Sequence, residues 1–416
     1  MELNHTYYKK KDNKLVSDRV NDILVYLVTW PIINFFLHQV VRPNNIYIYY
    51  FLMSLLYIVY IAKLLKGTNI IYKRIKVINI TIVYIVILIL LINLLIFNYN
   101  DNYLKNIFLD LFIKIFPAFI IATCVRDYDD LHKQLINKSY LQFGLMILTI
   151  LYLTQKNNRY EIDYSMEWSY AMLVPTILIL SNSRKKFLNL VIGLIGLICI
   201  FIYGSRGPLI CILGFFIVYM IKSACSNYKI AIIYGMIFLP LVTYITVNYG
   251  KILEIINSKL MDFGIYSRNL AMLINIDFYN ANGRNVIYKN IIEGIQQKPI
   301  LGWGLMGDRY INYIKNFTGN AMNTIEQGIY AHNFILEICV QFGIIFGSII
   351  IIIITYIILK SFVEAKSNSQ KLIFSVFFSI TMIQLVMSSS YLIMINFWIY
   401  MGLCLSIIQE NVKIHR

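Results

Sequence analysis

Residues 77–97 read VINITIVYIVILILLINLLIF, an apolar run without one charged side chain. At 1.5 Å of rise per residue, a helix of that length crosses ~30 Å of hydrocarbon. Working outward, similar stretches recur at 22–41, 46–65, 104–125, 139–155, 167–182, 187–204, 207–222, 230–248, 333–359, 371–389 and 391–409. The expected fold is an all-α integral membrane protein with about twelve transmembrane helices. Composition agrees. Of 416 residues, 59% are hydrophobic and 14% charged, with a mean hydropathy of +0.66. One soluble core cannot hide that excess, because core growth stalls near ~250–300 residues. Disordered chains carry the opposite bias.

The net charge is +16. In a soluble chain this would suggest nucleic acid as partner. Here the positions of the charges give another reason. With the N-terminus inside, the cytoplasmic connections hold Lys63, Lys66, Lys73, Arg74 and Lys76, then Arg126, Lys133 and Lys138, then Arg184, Lys185 and Lys186. Lys222, Lys229, Lys360, Lys366 and Lys371 continue the pattern to Lys413 and Arg416. The short outer connections are sparse, carrying Arg42, Lys156, Arg159 and Arg206. The positive-inside rule then predicts a multi-pass protein of the cytoplasmic (inner) membrane with both termini cytoplasmic. Its partner is the lipid bilayer, and no nucleic acid is expected. Segment 1–20 is polar and basic, so no cleavable signal peptide is expected. The six cysteines show no metal-ligand spacing, and no disulfide framework or zinc site is expected.

Residues 249–331 do not read as a simple connector. Long structureless loops are uncommon, so this one is expected to fold and to carry function outside the membrane. The chain thus divides into 1–248 with about nine spans, 249–331 as an extracytoplasmic loop, and 332–416 with about three spans. Tyr288, Ile291, Ile292 and Ile295 recur at helical spacing, ended by Pro299. Tyr266, Leu270, Leu273 and Ile274 form a second such face. These short amphipathic helices can roof a cavity, or simply cover helix ends.

Two motifs are set aside. Gly302, Gly304 and Gly307 spell the dinucleotide pattern G-x-G-x-x-G. That pattern needs a strand before it and a βαβ unit around it, so a tight turn with close backbone approach is expected instead. Asp127-Tyr128-Asp129 resembles a metal-holding D-x-D, but it lies among Arg126, Asp130, His132 and Lys133 and reads as a solvated mixed-charge loop. No metal site is expected.

The remaining candidates are charged groups where charge is costly. Asp110 and Lys114 lie four apart in an apolar span, as a functional pair or a structural ion pair. Arg206, in Gly204-Ser205-Arg206-Gly207-Pro208, has small neighbours that leave room for a ligand; it reads as a phosphate grip or as a snorkelling interfacial side chain. Arg284 opens the first amphipathic stretch, and Arg268 is a further loop guanidinium. His332 stands where the loop meets the next span, and an imidazole with reference pKa ~6.5 can take a proton there or simply bond a helix end. Glu337, inside an apolar helix, needs a job or a partner.

Together these pieces resemble the O-antigen polymerase and O-antigen ligase superfamily. The resemblance rests on the Arg206-Gly207 step, Arg284 ahead of an amphipathic helix, Lys298-Pro299-Ile300-Leu301-Gly302-Trp303-Gly304, His332-Asn333, and Glu337 with Gln341-Phe342-Gly343, over about 200–347. It implies an inverting glycosyltransferase with no cofactor and no metal. Its donor would be an undecaprenyl-diphosphate-linked oligosaccharide. By analogy Arg206 and Arg284 would meet diphosphate charge, and His332 would be the base. Asp110, Lys114, Arg268 and Glu337 are left as cavity-lining candidates without a family role. A polymerase of capsule, exopolysaccharide or O-antigen is favoured over a ligase, since nothing here suggests recognition of a lipid A core. A flippase and a chain-length regulator are implied partners. The alternative from another class is a transporter of lipid-linked sugar, disfavoured because no repeat relates the two halves.

Overall fold

A computed structural model describes residues 2–156, 165–182, 187–225, 248–262, 270, 274, 284–315 and 328–411. Among these the chain is helical, with no strand. The helices are α1 (Glu2–Phe36), α2 (Ile46–Arg74), α3 (Val77–Ile96), α4 (Asp101–Asp110), α5 (Phe116–Thr123), α6 (Tyr128–Lys156), α7 (Met166–Ser181), α8 (Phe187–Tyr203) and α9 (Arg206–Ala224). After them come α10 (Tyr249–Asp262), α11 (Arg284–Gln297), α12 (Gly307–Ile314), α13 (Phe334–Glu364), α14 (Asn368–Phe378), α15 (Gln384–Met387) and α16 (Ile395–Asn411).

Eight described helices are long and apolar enough to cross a membrane, and α7 and α8 are shorter apolar helices. Every stretch expected from the sequence falls on a helix, except 230–248, which lies outside the described residues but for residue 248. Segment 101–123 counts as one span because a π turn, Leu111–Ile115, joins α4 to α5 without a break.

The chain folds as two compact units of discontinuous sequence. Met1–Gly67, Asp127–Tyr279 and Ser367–Ile380 form the first; Thr68–Arg126, Asn280–Lys366 and Thr381–Arg416 form the second. In the first, the Asp127 carboxylate accepts the Asp130 N–H at 3.0 Å and so opens α6. Asn21 of α1 donates to the Asp127 carbonyl at 2.9 Å and to the Asp130 carboxylate at 2.8 Å. Ser369 bonds Asp129. The D-x-D acids therefore cap and tie helices, the work of N-cap residues rather than of metal ligands.

In the second unit α16 packs on α5, with the Trp398 ring edge-on to Phe116 and Phe119 at 6.2 Å each. Ser406 donates to the Val125 carbonyl at 2.6 Å, and Gln409 donates to Asn79 at 2.9 Å. Both tie polar groups to partners within apolar helices, where an unpaired one is costly. A cavity of about 340 Å³ lies among α3, α13 and α16, with walls that include Ile89, Leu305, Phe342, Tyr391 and Trp398 and expose almost no polar surface.

The turn after α11 decides how the loop meets α13. Gly302 and Gly304 hold φ +69° and +76°, and α13 is broken at Gly343, φ +76° and ψ 173°. Through this break the backbone pairs directly: Trp303 N–H to Val340 O at 2.8 Å, Gly304 N–H to Gln341 O at 2.9 Å, and Ile344 N–H to Pro299 O at 2.7 Å. A Cβ on Gly302 would sit 2.5 Å from Gln341 O, and one on Gly343 would sit 2.2 Å from Ile300 O. The glycines serve close backbone approach, as the turn reading expects. This arrangement also satisfies carbonyls that the broken helix would otherwise leave orphaned.

Candidate functional site

The site grows from three short pieces of the second unit. α11 buries Ile287, Ile291 and Ile295 against Ile311 of α12, Ala331 and Val340 of α13. Each such isoleucine contributes ~1.5–3 kcal/mol, so packing, not propensity, fixes α11. The buried face is rotated from the one expected: Tyr288 packs at its edge, whereas Ile292 is 45% exposed. Of the second expected face, Tyr266 and Leu273 lie outside the described residues.

Where these pieces meet, charge is buried. Asp308 and Glu337 are both 0% exposed, and Arg309 is 3% exposed. Arg309 reaches Asp308 at 3.4 Å and Glu337 at 3.9 Å. The Gln341 amide donates to Asp308 at 3.1 Å, and the Tyr391 hydroxyl donates to Gln341 at 2.6 Å. Ser390 donates to Glu337, and the Tyr391 N–H approaches its second oxygen at 3.4 Å. Glu337 thus has partners on α12, on its own helix one turn on, and in the 388–391 turn. Removing charge from water costs several kcal/mol per ion, and only such dense bonding offsets it.

Directly beside this network stands His332. Its φ is +54°, a left-handed conformation uncommon outside glycine and a few polar residues. On one side, the Ala331 N–H donates to Asp308 at 3.0 Å. On the other, Asn333 caps α13 by accepting the Ile335 and Leu336 amides at 3.0 and 3.2 Å. The imidazole lies 4.0 Å from the Tyr330 ring, centroid to centroid. Tyr330 is itself tied to the Ser388 carbonyl at 2.7 Å, and burial pushes its hydroxyl up to about 12. The His332 Nδ1 is buried and makes no hydrogen bond among the described residues. Burial first, then the fields of Arg284 and Arg309, push the imidazole down from 6.5 to about 4. The ring is therefore neutral at physiological pH, with two guanidinia close enough to act on it.

The other candidates stand as follows. Arg284 is the first residue of α11 and acts on His332 and Tyr330. Asp110 and Lys114 form an ion pair at 2.6 Å, with Asp110 largely exposed; neither lines the apolar cavity. Arg206 begins α9 in the first unit. Its glycine neighbours do not leave room for a ligand. A Cβ on Gly207 would meet the Tyr170 hydroxyl at 2.0 Å, and one on Gly204 would meet Ser169 at 2.6 Å. That space is taken by α7. Arg268 lies outside the described residues.

Asp308, Arg309, Tyr330 and Tyr391 were not singled out by the sequence reading. Asp308 and Arg309 look like two more solvated loop charges, nearly balanced with their neighbours. The available signal was indirect: Glu337 and Gln341 at i, i+4 in an apolar helix demand polar partners from elsewhere.

A comparison with curated proteins gave no match. Residues 191–352, which run from α8 through this site into α13, match the family model described as O-Antigen ligase, so this region is similar to that family.

Proposed function

We propose that this protein is a polysaccharide polymerase of the cytoplasmic (inner) membrane. It joins undecaprenyl-diphosphate-linked repeat units at the outer face, with loop 249–331 extracytoplasmic and both termini cytoplasmic. The observation that carries this reading is a half-buried His332, held in a left-handed turn with its Nδ1 unbonded among the described residues, within the matched region. His332 takes the proton of the acceptor sugar hydroxyl, whose oxygen forms a bond to the anomeric carbon from the face opposite the diphosphate. The bond from that carbon to the diphosphate oxygen breaks, and the electron pair leaves with the lipid diphosphate. Configuration inverts. Arg284 meets the charge that grows on the leaving group. Diphosphate is a competent leaving group, so the step needs no metal and no nucleotide sugar. The apolar cavity beside Tyr391 suits a hydrocarbon segment of the donor.

The test uses purified protein in liposomes with a lipid-diphosphate-linked repeat unit and a chelator. A ladder of glycan lengths is expected. Transfer only to a supplied lipid or protein acceptor would replace polymerase by ligase. Movement of the lipid-linked sugar across the bilayer without bond formation would replace both by transporter.

The pH profile follows from the same site. Neutral imidazole is the working form, so rate is lost as pH falls through the His332 pKa. In the free protein the acid limb of kcat/KM is expected near pH 4, not near 6.5. Bound diphosphate offsets the guanidinium fields and raises that pKa, so the limb of kcat lies at higher pH than that of kcat/KM. Arg284→Gln removes one repelling charge and moves the kcat/KM limb upward. A limb near 6.5 that ignores Arg284 would remove His332 from this role.

A further inference from the structure

We infer that Asp308 is a positioning residue for His332, acting through the backbone amide of Ala331. The inference rests on the reading of His332 as the base. It begins from a cost. A non-glycine residue in the left-handed region is disfavoured, and it persists only when its surroundings over-determine it. His332 is such a residue, and both its neighbours are pinned. Asn333 is held by its own capping bonds to Ile335 and Leu336. Ala331 is fully buried, and its N–H donates to one Asp308 oxygen at 3.0 Å. The other oxygen of the same carboxylate receives the Gln341 amide at 3.1 Å, and Gln341 is in turn fixed by Tyr391. Asp308 therefore couples the chain just before His332 to the interior of α13. Without it, nothing in this arrangement holds Ala331 N–H, and the backbone turn that aims the imidazole loses one of its two anchors. Asp308 itself makes no described contact with the ring. Its effect runs through the main chain.

The experiment compares kcat and KM for the lipid-diphosphate-linked donor in purified full-length variants. Asp308→Ala removes the acceptor. It is expected to lower kcat about 10- to 100-fold, the scale of a catalytic group misplaced by about 1 Å, with KM within about twofold of wild type. Asp308→Asn keeps an oxygen for the Ala331 amide and is expected to recover most of kcat, because the anchor on Ala331 needs only that one acceptor and the contact given up is the one to Gln341. Combined with His332→Asn, Asp308→Ala is expected to add no further loss, because a positioning residue has nothing left to position. Should Asp308→Ala fail to accumulate, Asp308→Ser, whose shorter side chain draws the acceptor back, replaces it in the same comparison. Wild-type kcat in the variant lacking the acceptor would overturn the inference. So would Asp308→Asn as poor as Asp308→Ala, or a multiplicative loss in the double variant. If His332→Asn alone were fully active, the reading of the base would fail instead, and the two failures are distinguishable.

Discussion

His332→Asn abolishes polymer formation in the expected result, with a loss of about 10²–10⁴-fold, the usual contribution of a general base. The protein should insert and accumulate at the wild-type level. Asparagine is the informative substitution because of the backbone. His332 holds φ +54°, and asparagine tolerates the left-handed region better than most residues. Alanine would add roughly 1–2 kcal/mol of strain at the same position, so a loss in that variant would mix a missing base with a distorted turn. Asparagine keeps the turn and removes only the proton acceptor. The measurement is the rate of ladder formation at saturating donor, beside the amount of protein extracted from the membrane. A near-normal ladder from His332→Asn would end the base assignment.

Arg309→Leu is the variant expected to cost most in stability. It leaves Asp308 and Glu337, both fully buried, without the guanidinium that reaches each of them. Breaking a buried ion network by removing one partner costs about 3–5 kcal/mol, because the remaining charge has been desolvated with nothing to offset it. The Tyr330 ring, whose centroid lies 5.9 Å from the Arg309 guanidinium, loses a neighbour as well. Arg309→Lys should fall between, since an ammonium restores charge without the planar fork. Thermal unfolding of the purified protein in detergent reads the effect as a lower midpoint. A Leu variant that melts with the wild type would mean that the network contributes little to holding α12 on α13.

Much of the fold was legible because the bilayer reads sequence so simply. A run such as 77–97 must be helical, since in hydrocarbon only internal hydrogen bonds satisfy the backbone. The amphipathic helix after Arg284 was legible by period, but its face was turned, because Ile287 and Ile292 are equivalent in hydropathy and only the shape of the α12–α13 surface chooses between them. The glycines at 302 and 304 announced a close approach without naming its target, which is the break in α13 at Gly343. At Arg206 the small neighbours suggested open space, whereas a glycine is equally the mark of a neighbouring side chain already in place, here Tyr170.

The sequence alone determined an all-helical membrane chain, and it put His332 just before, and Glu337 just inside, a long apolar helix. Those depend on composition and on the spacing of residues along one helix. Only the tertiary structure decided that Asp308 and Arg309 leave solvent while Lys315 and Glu293, equally charged and in the same loop, pair at 2.6 Å on the surface. Burial of a charge depends on which partners arrive from distant segments, and Gln341, Ser390 and Tyr391 come from 33 to 83 positions further along the chain than Asp308. No local pattern carries that information, because the energy that permits a buried carboxylate is supplied by groups its own neighbourhood does not contain.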